Sequence, residues 1–357
     1  MMTTMRWLAL PAGILLLWLA MLDLFRTLVV PRATLGRLRL TRWLFISTWR
    51  PWRWIGVRRR SQTGREHTLA MFAPLFFLIA LVVWSFLAVL GFALIYWSPA
   101  FSTTPSFTTA LYFSGTSLFT IGFGDVVATG GARVLAVMQG ATGLGIVALV
   151  IAYLPVLYQA FSRREVGILL LDARAGSPPS GPELLRRVGG DGLGRALPGL
   201  FREWERWAAD VLETHLSYPL LAYFRSPHDN TSWVTSLGAV LDAATLILAA
   251  VPQGDHSEAA EFLYATGVHT VEDLFGFFAQ PERATEIGRE EFDLVLRDMA
   301  AAGYPIRDPG DRCWERFRDL RVRYGGRLDS LAVLVAAPPA QWIGDRSSLP
   351  AAGPLHA

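Results

Sequence analysis

Three long apolar runs dominate the first half of the chain. The first run is uncharged over residues 7–22 and continues past Asp23 and Arg26 to residue 30. The second and third runs, residues 69–97 and 134–161, carry no charge. A helix needs roughly 20 predominantly apolar residues to cross the hydrocarbon core of a bilayer. The pattern predicts three transmembrane helices, over residues 1–30, 69–97 and 132–161.

The first run has a second interpretation, a secretory signal peptide. Such a peptide has a basic leader and a cleavage site of small residues. Arg6 is the only basic residue before the run, and no Ala-x-Ala-like site follows it. We therefore favour an uncleaved membrane helix.

A strongly basic segment separates the first two runs. Residues 26–65 contain eleven Arg and no Asp or Glu, so the positive-inside rule places this segment in the cytoplasm. Interleaved with the arginines are four tryptophans, Trp43, Trp49, Trp52 and Trp54. Because Trp anchors at headgroups and Arg attracts anionic lipid, we predict that residues 31–67 lie on the membrane, with lipid contacts from Arg58, Arg59 and Arg60. A basic loop that only sets topology fits the same composition, whereas a position between two membrane helices disfavours nucleic acid as a partner.

A short polar stretch lies between the second and third runs and reads Thr120-Ile121-Gly122-Phe123-Gly124-Asp125. Backbone carbonyls can replace the hydration shell of a cation when successive peptide units point at one axis. Glycine tolerates the backbone conformations that this requires, and Gly122 and Gly124 flank Phe123. The Thr120 hydroxyl adds a further oxygen. Since one strand cannot surround an ion and the chain has a single such stretch, the pore requires four chains.

The residues before this stretch have the features of a short helix. Thr104 suits the N-cap and Pro105 the first helical position, and residues 106–118 carry no charge. A helix over 105–118 would aim its negative C-terminal end at the cavity below the filter, which favours a cation there.

Residues 110–125, ALYFSGTSLFTIGFGD, resemble the pore helix and signature sequence of potassium channels. TIGFGD itself is similar to filters of two-pore-domain and bacterial potassium channels. The resemblance implies a helix–pore loop–helix plan over residues 68–164, with potassium ions bound by the filter and no other cofactor. The filter residues would be Thr120, Ile121, Gly122, Phe123 and Gly124 (segment 120–125), supported by Asp125, Tyr112 and Thr116. A Gly-rich turn between membrane helices is the alternative.

The sequence departs from the usual pattern at three positions. Phe123 replaces the commoner Tyr, so a hydroxyl that usually ties the filter to the pore helix is missing. Thr116 stands where some bacterial channels have a buried Glu, and Phe119 stands where a second Thr is common. These departures bear on the stability and inactivation of the filter.

The third run contains two residues expected to serve gating. Gly143 lies at the distance from the filter where potassium channels often carry a hinge glycine, although glycine packing between helices explains it equally well. Pro155 cannot donate an intrahelical hydrogen bond, so we expect a kink near the cytoplasmic mouth. Apolar and aromatic side chains suited to a constriction surround it, namely Tyr153, Leu154, Leu157 and Tyr158.

The second half of the chain has charges throughout and apolar residues at helical spacing. We predict a mainly helical cytoplasmic domain over residues 165–336 and a disordered tail over 337–357. Helices are expected at 182–188, 197–218, 232–251, 257–266, 271–278, 289–302 and 313–324. Residues 232–251 are apolar enough for a further membrane segment, but Asp242 in their middle favours a buried helix of the soluble domain.

The remaining sequence motifs give little indication of a phosphate-binding, cysteine-based or catalytic site. The Gly-rich residues 189–194 lack the preceding strand of a phosphate-binding loop, Cys313 is the only cysteine, and no nucleophile–base arrangement is evident, so an enzyme is not expected. The prediction is an all-α membrane protein, a homotetrameric, potassium-selective bacterial channel in the inner or plasma membrane with a cytoplasmic C-terminal domain. A non-selective cation channel and a membrane-anchored sensor acting through residues 165–336 are the alternatives.

Overall fold

The structure is a computed structural model, and it describes residues 2–30, 40–101, 106–228, 230–278, 281–283, 287–307, 310–338 and 342. These residues form helices joined by turns. The helices are α1 Met2–Leu28, α2 Leu40–Val57, α3 Gln62–Ala70, α4 Phe72–Trp97, α5 Phe107–Leu118, α6 Ala132–Ala175, α7 Gly181–Val188, α8 Ala196–Ser217, α9 Trp233–Ala250, α10 Asp255–Phe278, α11 Arg289–Ala301, α12 Asp311–Arg321 and α13 Gly325–Leu334.

The chain divides into two compact units. The first comprises residues 1–55 and 71–159, and the second comprises residues 56–70 and 160–357. Within the described residues, four helical stretches are long and apolar enough to span a membrane: Arg6–Leu28, Gln62–Trp97, Ala132–Ala175 and Trp233–Ala250. The protein is an all-α membrane protein.

Close contact between α1 and α4 organises the first unit. A Cβ atom on Gly13 would lie 2.6 Å from the carbonyl oxygen of Gly91, and a Cβ on Gly91 would lie 2.7 Å from Cγ of Leu17. Small residues allow membrane helices to approach this closely and to gain van der Waals contact along their length. The two glycines therefore fix where α1 crosses α4.

A buried carboxylate joins three helices of this unit. Asp23 on α1 is 5% exposed, and its Oδ2 accepts a hydrogen bond from Trp84 Nε1 on α4 at 2.9 Å. The backbone N–H of Thr41 on α2 donates to the same oxygen at 3.1 Å, and the Thr41 hydroxyl also donates to it. A buried charge is tolerated only when it is paired or hydrogen-bonded, and these donors fulfil that condition.

Helix α9 is the centre of the second unit. It is buried at every position except Thr235, and Ser232 and Thr235 form a capping box at its start. Asp242 accepts hydrogen bonds from the Tyr324 hydroxyl at 2.6 Å and from Arg321 Nε at 3.1 Å. The apolar character of this helix is thus accounted for by neighbouring helices, as the buried-helix interpretation predicts.

A second buried polar cluster lies around Arg164, in the part of α6 that belongs to this unit. Arg164 is 1% exposed and donates to the carbonyl oxygens of Leu221 at 2.9 Å and Phe224 at 2.7 Å. Its Nη1 lies 3.3 Å from Nε2 of His215. Burial and the adjacent guanidinium of Arg164 hold the pKa of His215 well below its usual value, so the imidazole is neutral.

The short segment that precedes α4 also belongs to the second unit. Glu66 on α3 forms an ion pair with Arg225, whose Nη1 donates to the carbonyl oxygens of Val335 at 3.1 Å and Ala336 at 2.8 Å. The sequence predicts a single interfacial segment over residues 31–67. In the structure, the last part of this segment, from residue 56 onward, packs with the second unit as part of residues 56–70.

Several boundaries differ from the predicted ones. Helix α6 continues to Ala175 instead of ending at 161, α10 is one helix where two were expected, and α13 was not predicted. The predicted cap residues Thr104 and Pro105 lie outside the described residues, as does nearly all of the predicted tail over 337–357.

Candidate functional site: an ion pathway in the first unit

Helix α5 occupies the position of the predicted pore helix. Ser106 is its N-cap and accepts a hydrogen bond from the backbone N–H of Thr109 at 3.1 Å. Ala110, Phe113 and Leu118 are buried, and Phe113 makes an edge contact with Tyr96 of α4 at a centroid distance of 4.9 Å. The apolar face of α5 therefore holds this short helix against α4.

The backbone after α5 alternates in handedness. Thr120 and Gly122 both have φ of 55° and Gly124 has φ of 80°, whereas Ile121 and Phe123 between them have negative φ. Alternating signs of φ turn successive carbonyls toward the same side of a strand, as a cation-binding strand requires. The two glycines adopt the predicted conformations, and Thr120 is a third such position that residue type did not indicate.

The segment Thr120–Gly124, called the strand below although it is not part of a β-sheet, is anchored at its first residues by the carbonyl oxygen of Thr116. It accepts hydrogen bonds from the backbone N–H groups of Ile121 at 2.8 Å and Gly122 at 3.3 Å. The Thr116 hydroxyl donates to the carbonyl oxygen of Phe113 at 3.0 Å, so the side chain bonds within α5. Support for the strand thus comes from the main chain of Thr116.

Tyr112 on α5 lies near Asp125 at the far end of the strand. The Tyr112 hydroxyl is within the electrostatic influence of the Asp125 carboxylate, and both residues are solvent-exposed. Phe123 lacks the hydroxyl that usually ties a filter to the pore helix, and Tyr112 supplies a hydroxyl from the helix side.

A buried hydrogen-bond network joins α4, α5 and α6 behind the strand. Gln139 on α6 is fully buried, and its Nε2 donates to the carbonyl oxygen of Ser114 at 2.8 Å and to Ser114 Oγ at 2.7 Å. The Ser114 hydroxyl donates to the carbonyl oxygen of Val89 on α4 at 2.8 Å. The network was not predicted, because Gln139 and Ser114 stand 25 positions apart.

Gly143 lies where α6 meets the end of α5. A Cβ atom at residue 143 would lie 2.9 Å from the carbonyl carbon of Leu118 and closer still to its oxygen. The side of α6 that carries Gly143 is packed within the unit, with Gln139 and Ile146 also buried. Gly143 is therefore packed closely against the end of α5, which favours the packing interpretation over the hinge.

Pro155 lies inside α6, and the residues of the expected constriction divide between two faces of this helix. Tyr153 is buried and stacks on Phe77 at 5.7 Å between centroids, and Leu157 is fully buried. Leu154 and Tyr158 are 37% and 46% exposed. Only Leu154 and Tyr158 lie on the open face. In this conformation the buried side chains of Tyr153 and Leu157 are therefore not available to line a constriction.

The open face of α6 is apolar along the first unit. Its exposed side chains include Val137, Leu144, Val147, Ile151 and Leu154. Their spacing of three, four and seven residues places them in one stripe. The side chains of this stripe are exposed, whereas Gln139 and Gly143 on the same helix are buried.

The residues predicted to meet lipid are accessible in part. Trp43 and Trp54 on α2 are 76% and 57% exposed, whereas Trp49 is buried against Phe72 at 4.7 Å between ring centroids. The residues Arg58, Arg59 and Arg60 follow α2 and are exposed.

Comparison with known proteins adds two findings. Residues 76–159 match the protein family described as "Ion channel". Over 251 residues the chain is 25% identical to the uncharacterized membrane protein YdjJ of Bacillus subtilis (strain 168), covering 68% of this chain and 70% of that protein. No solved structure matches. The family match includes α5, the strand and the first part of α6, and it confirms the resemblance of residues 76–159 to pore-loop ion channels.

Proposed function

We propose that the protein is a homotetrameric, potassium-selective channel that conducts potassium passively. The observation that carries the proposal is the alternating φ at Thr120, Gly122 and Gly124, directly after the pore helix. Carbonyls of Thr120, Ile121, Gly122, Phe123 and Gly124 from four chains would replace the hydration water of potassium, with Thr120 Oγ1 at the inner end.

The exposure of the strand in one chain supports assembly. Ile121 and Phe123 are 53% and 69% exposed, and α6 presents its apolar stripe without cover from its own unit. Apolar patches of this kind mark surfaces that contact other protein or lipid. In the proposed tetramer, neighbouring copies surround the strand, and the stripe faces the pore and adjacent subunits.

The charge pattern supports an orientation in the inner or plasma membrane. Eleven Arg over residues 26–65 and the pair Arg163–Arg164 mark the cytoplasmic side. The N-terminus and the pore loop would then face outward and the second unit would be cytoplasmic. The exposed residues Trp43, Trp54 and Arg58 to Arg60 suit contact with anionic lipid on the cytoplasmic leaflet.

Ion flux through reconstituted liposomes tests the proposal. Potassium uptake should exceed sodium uptake clearly, because the strand offers backbone oxygens and no acidic side chain before Asp125. Equal uptake of the two ions would favour the non-selective channel. No flux of either ion from an intact tetramer would favour the sensor.

A matched pair of glycine variants tests the role of the strand. Gly122→Ala places a side chain at φ of 55°, a conformation that L-residues resist, and should abolish selective flux while the tetramer persists. Gly115→Ala is the control, because Gly115 is helical and a Cβ there meets no atom within 4 Å. Retained potassium selectivity in Gly122→Ala would contradict the assignment of the filter.

A further inference from the structure

A cavity of about 560 Å³ opens in the second unit among the last turn of α6, the end of α7 and the first two turns of α8. Its volume falls within the range of ligand sites, roughly 300–1,000 Å³. Val188, Ala196 and Leu200 form an apolar part of the wall, and Arg174, Arg187 and Glu203 form the charged part. The cavity therefore combines a cationic side with an apolar side.

Arg187 is held in place by its neighbours. Its Nε donates to Glu183 Oε1 at 2.5 Å, and its Nη1 donates to the carbonyl oxygen of Ala173 at 3.1 Å. Glu183 is 8% exposed and also accepts two hydrogen bonds from Arg186 at 2.8 Å, which fix the carboxylate. Nη2 of Arg187 donates no hydrogen bond to any of the described residues. A guanidinium positioned in advance loses little side-chain entropy when it binds an anion.

Arg174 is paired loosely. Its Nη1 lies 3.4 Å from Glu203 Oε2, and the two side chains are 44% and 49% exposed. Charge-assisted hydrogen bonds are shorter, at roughly 2.7–2.9 Å. Glu203 thus shows that a carboxylate fits beside Arg174, and this contact is longer than a charge-assisted hydrogen bond.

We propose that this cavity binds a small organic anion, a carboxylate or phosphate monoester with an apolar body. Arg174 and Arg187 take the anionic group, Val188 and Leu200 contact the apolar body, and Glu203 competes for Arg174. Because Ala173 and Arg174 belong to α6, the ligand contacts the helix that carries the pore stripe. An effect of the ligand on ion flux rests on the proposed channel function, whereas binding does not.

Calorimetric titration of the full-length protein in detergent tests the site, with phenyl phosphate, octanoate and inorganic phosphate as probes. Phenyl phosphate should bind more tightly than inorganic phosphate, because only the ester reaches the apolar wall. Arg174→Gln should weaken binding of phenyl phosphate by roughly tenfold, as expected for loss of one charged hydrogen bond. Glu203→Gln should tighten it, because the competing carboxylate is gone.

Arg202→Gln is the matched control, since Arg202 is exposed on α8 and does not line the cavity. No binding of any probe to the unmutated protein would overturn the proposal, and so would equal weakening by Arg174→Gln and Arg202→Gln.

A titration in nanodiscs of phosphatidylglycerol and of phosphatidylcholine identifies the source of the anion. Weaker apparent binding only in phosphatidylglycerol means that lipid headgroups fill the site, and equal binding means a soluble ligand. Loss of potassium flux with intact binding would refute the channel and leave the site standing.

Discussion

Replacement of Gly143 by alanine tests whether this glycine is a packing residue or a hinge. The added Cβ would lie 2.9 Å from the carbonyl carbon of Leu118, and nearer to the oxygen. That atom belongs to the backbone at the end of α5, so it cannot rotate away as a side chain could. Overpacking of this kind costs roughly 1–3 kcal/mol per chain.

Gly145 provides the control for the same substitution on the same helix. A Cβ at residue 145 meets no atom within 4 Å. Gly→Ala in an open helical position stabilises a helix by roughly 0.5–1 kcal/mol. If Gly143 is a packing residue, Gly143→Ala should lower the stability of the protein and Gly145→Ala should raise it. If both glycines only make the helix flexible, both variants should raise the stability.

The assay is thermal unfolding of the purified protein, followed by potassium flux from liposomes. Gly143→Ala should melt below the unmutated protein and Gly145→Ala at or above it. The clash pushes on Leu118, two residues before Thr120, so Gly143→Ala should also disturb ion selectivity. A Gly143→Ala protein that is as stable and as selective as the unmutated one would refute the packing argument.

Three further predictions concern side chains outside this contact. Tyr112→Phe removes the hydroxyl near Asp125 and should speed inactivation in single-channel recordings without changing the number of subunits. Asp23→Asn leaves Trp84 Nε1 facing a weaker acceptor in a buried site and should lower the free energy of unfolding by roughly 1–3 kcal/mol in thermal or denaturant titrations. His215 stays neutral in the native state, while the unfolded chain takes up a proton below pH of about 6.5, so stability should fall by roughly 1 kcal/mol per pH unit below that value. His215→Gln should remove this slope, and an unchanged slope would assign it to another group.

The sequence predicted the pore elements because their signals are local. The glycines at 122 and 124 and the uncharged run before them indicated the strand and the helix without any knowledge of distant contacts. Thr120 was not recognised as a left-handed position, since β-branched residues resist a positive φ. Its conformation is set by neighbouring contacts, including the two hydrogen bonds to the Thr116 carbonyl just after it.

The length of α6 was underestimated for a physical reason. Arg163 and Arg164 follow the uncharged run directly, and the sequence therefore predicts that the helix ends at residue 161. Charge marks the boundary of a bilayer, but a helix can continue in water when its residues pack, and Ile168 and Leu171 beyond the charges are buried. Arg164 itself is buried, because backbone carbonyls and Glu165 accept its hydrogen bonds.

Contacts between distant residues were beyond sequence reasoning. Nothing in the sequence indicated that the Leu118 carbonyl lies beside Gly143. The same holds for Gln139 and Ser114, whose polar side chains gave no sign of meeting in the interior of the first unit. Periodicity shows which face of a helix is buried, but not which atom on another helix that face meets.

The exposed strand and the exposed stripe of α6 place different demands on their surroundings. Lipid can cover Val137 or Ile151, because hydrocarbon accepts apolar side chains. It cannot cover the strand from Thr120 to Gly124, since each backbone polar group left unsatisfied in hydrocarbon costs several kcal/mol. Carbonyls turned to one side must meet water, ions or donors, and the described contacts supply the strand with anchors on its N–H groups alone. A ring of four copies around bound cations satisfies both demands at once, which is why the proposed tetramer explains more of this structure than a membrane-anchored sensor does.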